Sequence, residues 1–274
     1  MSAAFRLIAH RGASAHAPEN TVAAFETAIA LGSEEVELDV RFSGDGEVVV
    51  FHDHELQRKT ALSGPVRHYP AEVLEQVDLG PWFGRHTSTT NDFVQFGERA
   101  TCIPRLDAIF ERFGDRVRRF HVELKGWDDL LPLAVMRTID AHGLRDRVTI
   151  TSFSKRPLTE IRKLDPTVPI TFLLRDAHDA VRGREYRAAL QGRSVEEVQA
   201  WWIEEAKRAG FQWVGVRAAD LSADTVSVAQ SCGLEIRCWG VGDEDDLHRA
   251  IELGAVGATV DWPERAQTCL AARA

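Results

Sequence analysis

A chain of 274 residues with 44% hydrophobic and 27% charged residues has an ordinary globular composition, which argues against a disordered polymer and suits one α/β barrel. The formal net charge of −9, with no long basic run, argues against a nucleic-acid partner. No apolar stretch reaches ~18 residues, which leaves no transmembrane segment.

In chain order, Phe5–Ala9 reads as a first strand and runs into His10-Arg11-Gly12. The opening MSAAFRLIAHRG has no charged region followed by an apolar one, so no signal peptide is expected and the expected compartment is cytoplasmic. Thr21–Leu31 is apolar at Val22, Phe25, Ala28 and Ile29, a helical spacing. Glu35–Val40 and Val48–Phe51 are strand-like runs with Ser43-Gly44-Asp45-Gly46 between them. A parallel crossover needs about a dozen residues or more, so these two runs must form an antiparallel hairpin. A turn centred near Gly44–Asp45 would return position 52 to the level of position 37.

From His54 to about Ala100 the chain is rich in Gly, Pro, His and Thr and lacks a sustained period, which predicts a small subdomain inserted at about 54–100. Strand-like runs follow at Phe120–Leu124, Val148–Ser152, Ile170–Leu174, Trp213–Val216, Leu234–Trp239 and Ala258–Asp261. Helical patterns occupy Val195–Ala209, Ala223–Cys232 and Glu244–Leu253, with Gly210, Gly233 and Gly254 where C-caps belong. Arg175–Gly192 is a second, charged and weakly patterned connection. Setting the hairpin arm aside leaves eight β/α units, so the expected fold is an α/β (β/α)8 TIM barrel over residues 1–274 as a single domain; a doubly wound sheet is the alternative. Cys102, Cys232, Cys238 and Cys269 lack CxxC spacing and read as reduced thiols.

The chemistry-bearing residues gather at strand ends. Glu37 and Asp39 lie two apart, so they share one face of their strand. Two carboxylates side by side call for a positive charge between them, and a hard divalent cation is the simplest one; an edge strand with basic partners is the other reading. The hairpin returns His52 and Asp53 toward Glu37, where an imidazole can exchange protons near neutral pH. His10 closes the first strand, Arg11 offers a planar fork to phosphate, and Asn20 or Thr21 could cap the next helix. Glu123 and Lys125 again share a face: Glu123 can complete a set of three carboxylates, and Lys125 can neutralise a phosphate oxygen. Together these groups suit phosphoryl transfer.

At these residues the chain resembles the glycerophosphodiester phosphodiesterase family, of the PI-PLC-like phosphodiesterase TIM barrel superfamily. The resemblance rests on His10-Arg11-Gly12, Pro18-Glu19-Asn20-Thr21, Glu37-Leu38-Asp39-Val40, Val50-Phe51-His52-Asp53 and Glu123-Leu124-Lys125. It continues through Asp78-Leu79-Gly80, Ile103-Pro104-Arg105-Leu106, Ser152-Phe153, Cys238-Trp239 and Asp261-Trp262-Pro263. It implies hydrolysis of a small-molecule glycerophosphodiester to sn-glycerol 3-phosphate and an alcohol, with one Mg2+ or Ca2+. By position it implies Glu37, Asp39 and Glu123 as metal ligands and His10 and His52 as the acid–base pair. Arg11 and Lys125 would hold phosphate. Trp239 would line the glycerol or alcohol side, or else serve as a core tryptophan. Glu19, Asn20 and Asp53 would support these groups. The chain departs from the family pattern at Val260, Gly240 and Gly242, which leaves the alcohol preference open. A lysophospholipid-cleaving activity of the phospholipase D type is the alternative on the same residues; a glycosidase using Glu37 and Glu123 and a non-catalytic phosphate-binding barrel are more distant ones. A homo-oligomer is compatible with all of these.

Overall fold

The structure is a computed structural model that describes residues 5–87, 93–126, 128–175 and 193–272. Nine strands are present among them: β1 (Arg6–Ala9), β2 (Glu35–Phe42), β3 (Val48–Val50), β4 (Arg119–Leu124), β5 (Val148–Ser152), β6 (Ile170–Leu173), β7 (Trp213–Arg217), β8 (Glu235–Trp239) and β9 (Gly257–Val260). The order is β1-β9-β8-β7-β6-β5-β4-β2-β3, and a further β1–β2 pairing closes eight parallel strands into a barrel. The predicted runs and the observed strands differ by no more than two residues at any end.

The ninth strand is an annex, and strand length explains where it sits. β1 pairs with β2 only at Ile8↔Glu35 and Ala9↔Val36. The upper edge of the longer β2 is therefore free, and β3 pairs there antiparallel, Val40↔Val50 through Phe42↔Val48. This register is one residue off the predicted one, since continuing it sets position 52 opposite Leu38 rather than Glu37. The ladder ends where Phe51 N–H donates to Asp39 O (2.9 Å), and the chain then leaves the strand. Side-chain alternation therefore no longer decides where His52 points. At the hairpin tip a Cβ on Gly44 would lie 2.9 Å from the Arg67 carbonyl oxygen, so glycine lets the later chain pack against the turn.

Helices connect the strands: α1 (Val22–Ala30), α2 (Ala71–Leu74), α3 (Gly80–His86), α4 (Leu106–Phe113), α5 (Leu131–Ala141), α6 (Lys155–Leu164), α7 (Val195–Arg208), α8 (Ala223–Ser231), α9 (Glu244–Leu253) and α10 (Pro263–Ala271). Thr21 caps α1, and Ser194 with Glu197 forms a capping box on α7. Outward-facing Val36, Leu38 and Val40 of β2 are fully buried against the helical layer. Each such burial contributes roughly 1.5–3 kcal/mol, which helps offset a charged inner face on the same strand.

Between β3 and β4 the described chain forms short helices around a small core of Phe51, Leu56, Val66, Leu74, Leu79 and Ile103. Part of the predicted insertion, 88–92, and most of the predicted charged connection, 176–192, lie outside the described residues. Among the described residues no helix is long and apolar enough to cross a membrane.

Candidate active site

The inner faces of β2 and β4 carry charge along their whole length. Parallel pairing sets Glu37 beside His121 and Asp39 beside Glu123. Glu37, Asp39 and Glu123 are all buried and bring one oxygen each to within 4.8 Å of one another. An ion with oxygen ligands at about 2.3–2.6 Å spans opposed ligands roughly that far apart.

Two cations partly balance the three carboxylates. Lys125 Nζ is 2.6 Å from Glu123 Oε1 and 3.1 Å from Asp39 Oδ1. Arg11 Nε is 3.1 Å from Asp39 Oδ2. Asn20 completes the hold on Asp39: its Nδ2 donates to Oδ2 (2.7 Å) and its Oδ1 accepts from the Asp39 backbone N–H (3.1 Å). Thr21 caps α1, which leaves the Asn20 side chain to this task.

The electrostatic outcome is uneven. Burial opposes ionisation of Asp39, but Lys125, Arg11, the nearby His52 and Asn20 hold its carboxyl well below the usual range. Burial, then Asp39 and Glu123, push Glu37 well above that range. Its Oε2 accepts the Arg11 backbone N–H (3.0 Å), whereas its buried Oε1 accepts no hydrogen bond from the described residues. A triad with one protonation-prone, under-satisfied carboxylate fits a hard divalent cation, because the cation would supply the missing counter-charge.

Local backbone geometry aims these groups. Arg11 and Asn20 adopt φ of 55° and 61°, conformations that side-chain-bearing residues rarely take. The first turns the Arg11 N–H onto Glu37, and Asn20 N–H donates to Arg11 O (2.9 Å), locking the loop. Gly12 follows at φ 83°, and a Cβ there would lie 2.6 Å from the Ala24 backbone, so only glycine lets the loop lie on α1.

The two histidines each have a carboxylate behind them. His10 Nδ1 lies 2.6 Å from Asp261 Oδ1, which also accepts from Ser14 Oγ (2.7 Å). His52 Nδ1 lies 2.7 Å from Asp53 Oδ1, and Arg58 grips the same carboxylate with Nε (2.6 Å) and Nη2 (2.9 Å). Burial opposes ionisation of both Asp53 and Asp261, yet bonds from their histidines, and from Arg58 at Asp53, hold each below the usual carboxylate range. Burial pulls the His52 imidazole below its ordinary value. Arg41 Nε and Nη2 fix the His52 carbonyl at 2.9 and 2.6 Å.

His10, Arg11, Glu37, His52, Glu123, Lys125 and Trp239 line one cavity of about 330 Å³. Trp239 stands edge-on to Phe153 at 5.1 Å, and its Nε1 donates to Leu174 O (3.2 Å). Ile8, Leu173 and Cys238 make the same cavity partly apolar. Asp39, Asn20, Glu19 and Asp53 stand behind this lining; Glu19 accepts from Arg11 Nη1 (2.9 Å).

Asp261, Arg41, Phe153 and Lys59 were not singled out as site residues from the sequence. Asp261 carried a usable signal, since it directly follows the last strand, beside the end of the first. Phe153 carried one too, in the Ser152-Phe153 strand end that resembles the family; Arg41 and Lys59 had none, because ordinary strand and loop residues gain significance only from their neighbours in space.

A family model described as the glycerophosphoryl diester phosphodiesterase family matches residues 10–265. A glycerophosphodiester phosphodiesterase of Caldanaerobacter subterraneus subsp. tengcongensis is 30% identical over 261 residues, covering 94% of each chain. One of Bacillus subtilis is 27% identical over 265 residues, covering 94% of this chain and 83% of its own. An Oleispira antarctica phosphodiesterase, solved in complex with the product sn-glycerol-3-phosphate, has the same fold: TM-score 0.78 at 24% identity, covering 97% of this chain and 96% of that one.

Proposed function

The chain belongs to the glycerophosphoryl diester phosphodiesterase family, and from that premise we propose that it hydrolyses glycerophosphodiesters to sn-glycerol 3-phosphate and an alcohol, with His10 and His52 moving the protons. The observation that carries this reading is the convergence of two carboxylate-backed histidines and a carboxylate triad on one cavity. Glu37, Asp39 and Glu123 would hold one Mg2+ or Ca2+. Such an ion, when bound, neutralises charge on a phosphate oxygen.

The chain's own groups do the rest. Asp261 takes the Nδ1 side of His10, and Asp53 that of His52, so each ring can present Nε2 for proton exchange. His10 acts as base toward the attacking water or glycerol 2-hydroxyl. His52 acts as acid toward the leaving alkoxide; the bound phosphodiester anion favours its proton-bearing form, and its burial makes that form a ready donor. Arg11 and Lys125 add fixed positive charge where charge develops on phosphate. Trp239 and Phe153 wall the alcohol side. Attack by the 2-hydroxyl would expel the alcohol and form a cyclic phosphate, which water would then open to glycerol 3-phosphate; phosphorus NMR of a reaction mixture detects the cyclic species. The partly apolar lining favours, as a second reading, cleavage of lysophospholipids on the same groups.

The test is a panel of glycerophosphodiesters and lysophospholipids assayed after chelation, with Mg2+ and Ca2+ restored separately. Release of glycerol 3-phosphate with an added ion is expected. Absence of turnover with either ion would overturn the reading.

A further inference from the structure

Lys59, on the segment after β3, is a buried cation that stands behind the cavity rather than in its lining. The Lys59 side chain is 0% exposed. Its Nζ lies over the rings of Phe51 (5.1 Å) and Trp82 of α3 (5.3 Å). Burying an ammonium costs several kcal/mol unless carboxylates meet it. Two do: Glu19 Oε1 accepts a hydrogen bond from Nζ, and Asp53 Oδ2 lies 3.5 Å away.

These two carboxylates belong to different arms of the site. Glu19 holds Arg11, and Asp53 holds His52. The chain of contacts alternates in charge, from Arg11 to Glu19, Lys59, Asp53 and finally His52. Arg58 also grips Asp53, but its side chain is 57% exposed, so solvent competes with that bond and not with the longer ion pair from the buried Lys59. Without Lys59, two largely buried carboxylates would lose the cation they share, and Asp53 would lose the buried charge that helps hold it beside the imidazole.

We propose that Lys59 is a positioning residue, a single buried ammonium that orients His52 through Asp53 and couples it to Arg11 through Glu19. The segment after β3 thus works on the chemistry as well as on the cavity rim. The proposal rests on the acid–base role given to His52 above.

A double-mutant cycle tests it on the metal-supplied enzyme. Lys59→Met should lower kcat about 10- to 100-fold in the wild-type background, raise KM less, and cost under about threefold in a His52→Ala background. Lys59→Arg should recover most of the loss. Lys59→Gln, which keeps N–H donors, gives the same readout if Lys59→Met does not fold. Equal losses in both backgrounds, or none, would overturn the proposal, since a merely structural role lowers both alike. Imidazole ¹⁵N shifts supply an arm independent of turnover. In the Lys59 variant those of His52 should move while those of His10, held by Asp261, should not. If both or neither move, the clamp is refuted, even if the enzyme acts on another substrate.

Discussion

The barrel buries two charged clusters on the same strands, one above the other, and they are built on opposite principles. The lower one joins Glu35, His121 and Arg237. His121 Nε2 is 2.7 Å from Glu35 Oε2, Arg237 Nη1 is 3.0 Å from His121 Nδ1, and Arg118 Nη2 closes the line at 2.6 Å from Glu35 Oε1. Both oxygens of Glu35 are engaged; the Arg237 guanidinium stacks 4.1 Å from the Trp213 ring centroid, while among the described residues its buried Nε and Nη2 have no hydrogen-bond partner. The upper cluster crowds Glu37, Asp39 and Glu123 against two cations and, among the described residues, leaves Glu37 Oε1 without a donor. Glu35 and Glu37 are two residues apart on one strand face, so position in the barrel decides which charge is matched and which is left for something else to match. A buried carboxylate with a donor on each oxygen stabilises the barrel, whereas one left short of a donor is costly until a counter-charge meets it.

The largest expected contrast comes from the same substitution at both levels. Glu37→Gln should lower kcat/KM about 10²–10⁴-fold in a metal-supplied assay and leave the metal-free melting temperature unchanged or raised, because it removes like-charge crowding. Glu35→Gln should cost about 3–5 kcal/mol of stability, by leaving the buried Arg237 short of a counter-charge, while kcat per folded molecule stays near wild type. Thermal melts and steady-state kinetics on the two variants check this; a stability loss confined to Glu37→Gln would break the comparison.

His10→Ala and His52→Ala should each lower kcat about 10²–10⁴-fold without lowering the melting temperature. Wild-type turnover in either variant would remove that histidine from the proton transfers.

Glu37 should also titrate with the opposite sign to the lower cluster. Burial pulls His121 down to about 4 despite its bond to Glu35, and the bonds to His121 and the arginines outweigh burial to bring Glu35 down to about 2. Both folded values lie below the unfolded ones, so the unfolded state binds more protons and stability falls as the pH drops from about 6.5 toward 2. The His121 part is about 3 kcal/mol between pH 6.5 and 4. Glu37 is raised instead, so in metal-free protein its contribution falls as the pH climbs above the unfolded carboxylate value. Melting curves across pH should show an acid limb, together with an alkaline-side loss that Glu37→Gln abolishes.

The smallest effect sharpens the cation assignment. At about 100 times its Kd, Mg2+ or Ca2+ should stabilise chelated protein by about 2.7 kcal/mol, and Glu37→Gln should abolish the shift. A shift that persists in the variant would place the ion elsewhere.

Much of this was legible before folding was considered. Alternating apolar and amphipathic runs marked all nine strands, because a strand end is a local change of period. Spacing of two placed Glu37 with Asp39, and Glu123 with Lys125, because side-chain direction in a strand is a local property. The hairpin brought His52 toward the triad, although its register slipped by one, since turn geometry sets register and a sequence constrains it only loosely.

Tertiary structure alone decided who stands behind each working group. His10 meets Asp261 across 251 residues of sequence, and Lys59 meets Glu19 across 40. Their chemistry is ordinary for a strand end and a loop, and becomes specific only when barrel closure sets β9 beside β1 and the chain after β3 folds over the mouth. The same closure gave Glu35 a donor on each oxygen and left Glu37 short of one among the described residues. The reason is physical: periodicity and face are set by bonds along the chain, whereas charge balance is a sum over neighbours in space, and that sum does not exist until the barrel closes.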